Sequence, residues 1–347
     1  MVYKSRERMS YSRMDKQHEL ETLTPLLADL FEISRVLDYE FMQSGFMSQN
    51  YRVNTSIGSF FLKRYRDRIN TVIHEIKFGE QFFADHGLPI ILPIKDRYQR
   101  EAFLFQGSWY SLFPFVHGTS PMREQMTDEL LTSISTLLAK FHLIGSTFSY
   151  RPFQMIRIGN SRKFLMENVE LDRWLSVKTS LTQAEAQIQE LLVLKRRLFE
   201  ATTMTPSDFH LSYDCLLHGD FQHCNLFTKN NEVTHVFDLE RTALGPASYE
   251  LVRAIFMDCF EDGWEEQNFT DARLYLNNYQ THCTISKQEF TEAIMYYFFN
   301  IIHTSWIETN YLIYGVEQSL AVLDRQKNRL LYLSTHDLRE LSETIWT

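Results

Sequence analysis

Cysteine is scarce in this chain. Four occur in 347 residues, Cys215, Cys224, Cys259 and Cys283, and no two form a Cys-x-x-Cys pair. Neither a zinc site nor a disulfide framework is indicated. No long basic run occurs, and the net charge is -9, which speaks against general nucleic-acid binding. No long apolar run occurs either. The densest apolar cluster, around Met295 to Ile302, is broken by Asn300 and His303 and is too short and polar to cross a bilayer. The first twenty residues, MVYKSRERMSYSRMDKQHEL, lack the apolar core of a signal peptide. A soluble, cytoplasmic protein without a membrane or nucleic-acid partner is expected. No internal repeat or low-complexity tract is apparent.

What the chain has is apolar mass. Hydrophobic residues make up 44%, with 27 Phe and 17 Tyr, enough for an aromatic-rich core. The length suggests one large domain or two lobes. The most informative polar residues follow two short apolar runs, Leu216-Leu217 and Val233 to Phe237. His218-Gly219-Asp220 follows the first run. Asn225 stands five residues after Asp220, and Asp238 thirteen after Asn225. Phosphoryl transfer from ATP needs such a set. One carboxylate meets the acceptor hydroxyl, while an amide oxygen and a second carboxylate hold Mg2+ on the phosphates. The Asp-x-x-x-x-Asn spacing equals that of the protein-kinase template, with His-Gly-Asp in place of His-Arg-Asp. The plain alternative is a hairpin whose Asp and Asn serve turns.

On these residues the chain resembles the aminoglycoside phosphotransferase family and its relatives, among them choline, homoserine, methylthioribose and fructosamine kinases and spore-coat kinase-like proteins. The resemblance runs from about residue 40 to about residue 330. It implies an α+β, bilobal, protein-kinase-like fold: a small lobe with an antiparallel sheet plus helix, then a larger, mainly helical lobe. Residues 1–20 are expected to be a flexible segment, 21–116 the nucleotide-covering lobe and 117–347 the catalytic lobe. Asp220 is then the catalytic base, and Asn225 and Asp238 are the Mg2+ ligands. The acceptor is a hydroxyl of a small molecule: an amino alcohol, sugar or amino acid ahead of an aminoglycoside. A non-catalytic nucleotide-binding or scaffold protein is the alternative from another class. Asp238 is followed by Leu239-Glu240 rather than Phe-Gly, so activation-loop control is not expected and a protein kinase is disfavoured. Glu240 either touches a second metal or pairs with Arg241, the latter preferred. Cys224, inside the loop, reads as a filler.

Upstream, two β-rich runs, Tyr51 to Thr55 and Ser59 to Tyr65, flank a turn at Ile57-Gly58. The pattern Gly45-x-x-x-x-Asn50-Tyr-x-Val, then Phe-Leu-Lys63, is similar to the family's first hairpin and implies a phosphate contact from backbone or from Ser48. Lys63 ends an apolar strand, from which an ammonium can reach phosphate as a point charge. A helix is expected over 68–86, stopped by Gly87 and Pro89. Its Glu75 or Glu80 would pair with Lys63, Glu75 preferred. Strands are expected over 90–94, 101–105 and 109–115. The stretch from Ser111 to Gly118 looks like the family's hinge, with adenine held by backbone near Phe113 and Phe115, where Pro114 can only accept.

Beyond the hinge, helical periodicity predicts helices over 127–142, 158–174, 181–204, 247–260, 269–280, 287–314 and 316–332. His142 reads as a buried structural residue. Glu250 stands where the family usually has Asp. His303, Trp306 and Asn310 would share one face of the long helix over 287–314, lining an acceptor cleft or packing in the core.

Overall fold

The computed structural model describes residues 13–33, 35–42, 48–65, 70–157 and 159–347. The chain opens with α1 (Arg13–Phe31), then β1 (Val36–Met42), β2 (Ser48–Thr55) and β3 (Gly58–Tyr65), then α2 (Asn70–Asp85), β4 (Phe103–Phe105) and β5 (Ser108–Pro114). The five strands form one antiparallel sheet in the order β1-β2-β3-β5-β4. Strand alternation decides what each face does. Tyr51, Val53, Leu62, Tyr110 and Leu112 are buried with Leu23, Leu27 and Leu30 of α1. The opposite face carries Ser48, Asn50, Lys63, Tyr65 and Ser111, set by the pairs Ser48–Tyr65, Asn50–Lys63 and Lys63–Ser111. Tyr65 on this face packs with Ile73 and Ile76 of α2.

The larger lobe contains α3 (Asp128–Gly145), α4 (Ser161–Ser176), α5 (Gln183–Ala201), β6 (Cys215–Leu217), β7 (Leu226–Lys229), β8 (Glu232–Val236), β9 (Ala243–Gly245), α6 (Ala247–Asp258), α7 (Glu266–Gln280), α8 (Lys287–Ile302), α9 (Trp306–Leu312), α10 (Leu323–Thr335) and α11 (Leu338–Trp346). One apolar core runs through these helices and takes in Phe83 of α2. None of the described helices is long and apolar enough to cross a membrane.

Several expectations need correction. The segment over 90–94 is not a strand. Ile91 N donates to Val236 O at 3.0 Å and Ile94 N to Leu112 O at 2.7 Å, so the peptide is pinned first to β8 and then to the small sheet. Pro93 has no N–H to continue a ladder. The helix expected over 287–314 breaks into α8 and α9, because the Thr304 carbonyl is taken by Lys195 Nζ at 2.7 Å. The apolar period runs on through the break, so the pattern alone hides it. His303 therefore does not share a helix with Trp306 and Asn310. It packs among the rings of Phe164, Phe199 and Phe299, as the core alternative has it. α1 reaches back to Arg13, into the stretch expected to be loosely held, and α11 was not anticipated. Gly45, Arg68, Ile69 and Ile158 lie outside the described residues.

Two buried polar clusters position the rest. Glu250 of α6 accepts from His218 N at 3.1 Å and Gly219 N at 2.5 Å, and meets His142 Nε2 of α3 at 3.2 Å. His142 Nδ1 is 2.7 Å from the Tyr279 hydroxyl of α7. Glu250 thus ties the turn after β6 to three helices. Burial pushes its carboxyl pKa up, but the His142 hydrogen bond, the nearby imidazoles and the Gly219 N–H outweigh that and hold it below the usual range. Farther off, Lys195 of α5 meets Glu308 of α9 at 2.6 Å, both fully buried.

Two outcomes are expected. Lys195→Met strands the Glu308 carboxylate and should cost about 3–5 kcal/mol by urea denaturation, while Lys195→Met with Glu308→Leu should recover most of the loss. Glu250 has a depressed native pKa, so its contribution is present above its unfolded pKa and lost as pH falls through the native one. Glu250→Gln should lower the melting temperature at neutral pH. The gap to wild type should close as pH falls below about 4.3; a gap that does not change with pH would contradict this.

Candidate functional site

Lys63 is where the two lobes meet. It is 6% exposed, and its Nζ lies 2.7 Å from Asp238 Oδ1 and 2.7 Å from Glu240 Oε1. Burial favours the neutral amine, but the charges of Asp238 and Glu240 outweigh it and hold the ammonium well above its usual pKa. Asp238 shows the reciprocal effect: burial pushes its carboxyl up, and the Lys63 charge and hydrogen bond pull it below the usual range. Asp238 sits in the left-handed region, φ 67°, which aims its side chain away from the line of β8. Glu240 pairs with Lys63, a partner not expected for it.

The loop after β6 is shaped by one glycine. Gly219 has φ 82°, and a Cβ there would lie 1.9 Å from the Arg241 carbonyl oxygen, so no larger residue fits. His218 Nε2 donates to Phe237 O at 3.1 Å, and its Nδ1 accepts from Asp220 N at 3.2 Å. Burial holds the His218 pKa below its usual value, in keeping with a neutral imidazole that props the loop. Asn225 Nδ2 donates to Asp220 O at 2.8 Å, and Phe237 N to Asn225 O at 3.1 Å. Asn225 thereby stitches the Asp220 turn to the chain leading into Asp238. Its amide nitrogen is spent, so what it can offer a cation is its carbonyl oxygen.

Asn225 and Asp238 form a small, all-oxygen donor set, which suits a hard cation that takes its remaining ligands from phosphate and water. Among the described residues no group of three His, Cys, Asp or Glu side chains could hold a metal alone. The Asp220 carboxylate accepts from Gln222 Nε2 at 3.0 Å and is ion-paired with Arg253 of α6. Arg253 was missed in the sequence. The available signal was a lone guanidinium inside an apolar run, Leu251-Val252-Arg253-Ala254-Ile255. Cys224 is exposed on the surface of this loop.

Other expected residues fall differently. Glu75 is not at Lys63: its Oε2 accepts from Gln154 N at 3.0 Å, on the segment that pairs with β9. Glu80 is the buried carboxylate within the field of Lys63, and it accepts from Lys77 Nζ at 2.8 and 3.0 Å. Ser48 begins β2 rather than lying in a loop, and its hydroxyl donates to Asn50 Oδ1 at 3.2 Å. The Leu112 carbonyl faces away from β3, toward Ile94 N. Antiparallel alternation then turns the Phe113 backbone toward β3 and the Pro114 carbonyl outward. The Phe113 ring meets Lys77, whose Nζ is 4.8 Å from its centre. Phe115 lies just past the strand end, with the Arg52 guanidinium 4.6 Å from its ring centre. Outward-facing backbone groups at this strand end therefore begin at Pro114.

Comparisons with known proteins agree with this layout. The homoserine kinase of Nitrobacter hamburgensis is 22% identical over 264 residues, 75% of this chain and 74% of that protein. Among solved structures, the amicoumacin kinase hAmiN in complex with AMP-PNP, Ca2+ and Ami superposes with a TM-score of 0.61 at 12% identity, over 95% of this chain and 98% of that one. A microcompartment-associated aminopropanol kinase gives 0.59 at 13% identity, over 94% of this chain and 99% of that one. These likenesses bear out the two-lobed kinase-like fold. Residues 38–283 match the phosphotransferase enzyme family model, and with more than half of the sequence covered, the chain belongs to that family.

Proposed function

We propose that this protein is an ATP-dependent kinase that moves the γ-phosphoryl group to a hydroxyl of a small molecule, with Asp220 as general base. The observation that carries the reading is the 2.7 Å contact between Lys63 and Asp238, 175 positions apart. Phosphoryl transfer is mainly positioning and charge neutralisation. An ammonium and a carboxylate brought together from two lobes, beside the Asp220–Asn225 loop, supply both.

In this reading Asp220 accepts a hydrogen bond from the acceptor hydroxyl, orients its oxygen in line with phosphorus and takes the proton late. Arg253 and Gln222 fix the Asp220 rotamer. Asn225 and Asp238 would hold Mg2+. When bound, that ion neutralises charge on the phosphate oxygens. Lys63 shares its ammonium between Asp238 and the α and β phosphates, with Glu240 keeping it in place. Adenine would lie against the Pro114 carbonyl and the backbone of Phe115. Ser48 would contact phosphate only by giving up its bond to Asn50. A core of its own, from Leu23 to Leu112, supports a nucleotide-covering lobe over 21–116, while Phe83 and Leu88 of that stretch pack into the core of the catalytic lobe, 117–347. Homoserine kinases among the relatives, and an aminopropanol kinase among the structural neighbours, support an amino-acid or amino-alcohol acceptor.

Asp220→Asn should cut turnover on the order of 100- to 10,000-fold, yet leave Mg2+-dependent thermal stabilisation by ATP intact. Asp238→Ala should remove both. Equal loss of ATP stabilisation in the two variants would contradict the assigned roles.

A further inference from the structure

Five lysines and arginines are buried among the described residues: Lys63, Lys77, Lys195, Arg253 and Arg329. Four meet a carboxylate: Lys63 at Asp238, Lys77 at Glu80, Lys195 at Glu308 and Arg253 at Asp220. Arg329, on α10 and 4% exposed, has no acid within ion-pair distance among the described residues. Its Nη1 donates to the Tyr297 hydroxyl at 3.2 Å and meets Met257 Sδ at 3.3 Å, and its Nη2 donates to Phe256 O at 2.9 Å. Its Nε has no partner. A buried full charge with only neutral acceptors is costly unless a counter-ion arrives.

There is room for one. Arg329 lines a cavity of about 310 Å³, together with Arg325, Asn328, Glu261, Phe260 and Trp264. That volume suits a small ligand. Trp264 stacks on Tyr332, centres 3.7 Å apart, and on Phe260 at 4.6 Å, so one wall is stiff and flat. The lining also touches the Asp220 loop: Glu261 Oε2 is 3.2 Å from Nε2 of His223, a residue between Asp220 and Asn225. The other charges in the cavity are mostly spent. Glu261 is paired with Arg325 and His223, and Asp262 accepts from Asn268 at 2.9 Å and faces Arg123 at 3.4 Å. Glu265, also in the lining, adds a negative charge that disfavours a polyanion and suits a neighbouring ammonium.

The geometry points to this cavity as the subsite for a carboxylate on the acceptor, with Arg329 as its counter-ion, so that the substrate is a small hydroxylated acid, a hydroxy amino acid in particular. A guanidinium offers a planar fork that fits a carboxylate. The inference rests on the kinase reading for the word acceptor.

The test is calorimetric and thermal titration of the full chain with L-homoserine and L-serine, each beside its decarboxylated counterpart, 3-aminopropan-1-ol or 2-aminoethanol. At least one acid should bind and raise the melting temperature, and its counterpart should not. Arg329→Met should weaken that binding on the order of 100-fold, while Mg2+-dependent stabilisation by ATP stays as in wild type. Because Met removes an uncompensated charge, the ligand-free variant should melt no lower than wild type. Arg329→Lys, which keeps the charge but loses the fork, should also weaken the acid and provides a second reading if the Met variant fails to fold. The proposal is overturned if neither acid is preferred over its counterpart, or if the substituted protein binds the acid as wild type does. Absence of ATP stabilisation in wild type would instead sink the kinase reading.

Discussion

The structure depends on an ammonium placed where water does not reach. Lys63 leaves a strand of the small sheet and ends between two carboxylates of the large lobe. Such a group is tolerable only when opposite charge is supplied at close range. Neither the sheet nor the loop after β8 can adopt this arrangement alone, so the ion cluster specifies how the two lobes face each other. A buried pair of this kind adds little net stability. What it fixes is position, and phosphoryl transfer demands position above all.

The same logic holds under the Asp220 loop, where one helix acts on both sides of a tight turn. Glu250 collects the two backbone N–H groups that the His218-Gly219 turn leaves exposed, and Arg253, three residues on, pairs with the Asp220 carboxylate. Residues three apart lie on one helical face, so a single rigid element sets backbone and side chain together. Glutamate in place of the family's usual aspartate lengthens the reach by one methylene, and the N–H contacts are still made.

What could be read from the sequence follows from what chemistry constrains. The turn from Asp220 to Asn225 is legible because a short loop that folds back needs a side chain to bond its own backbone, as Asn225 does to Asp220 O. The small sheet is legible because alternation and a glycine turn leave few options. Among the described residues neither Glu75 nor Glu80 ion-pairs with Lys63, yet which of the two lies in its field was signalled in the sequence. The two residues are turned about 140° apart on a helix. Glu80 stands four residues after Ile76, whose burial against Tyr65 marks the face turned to the sheet. Arg253 and Glu240 were not found as partners of Asp220 and Lys63, because those contacts join positions far apart in the chain and no local pattern reports them. The break between α8 and α9 is hidden for a similar reason, since a lysine on α5 captures the carbonyl that would otherwise continue the helix.

The strut from Pro89 to Ile94 has a mechanical consequence. It is fastened at one end to β8, just ahead of Asp238, and at the other to Leu112 of β5. A second fastening joins Glu75 of α2 to the Gln154 backbone. Two fixed points define an axle. Rigid rotation of the small sheet about that line displaces atoms in proportion to their distance from it. Small-lobe residues near that line move least, whereas β1, three strands away from β5, sweeps the widest arc.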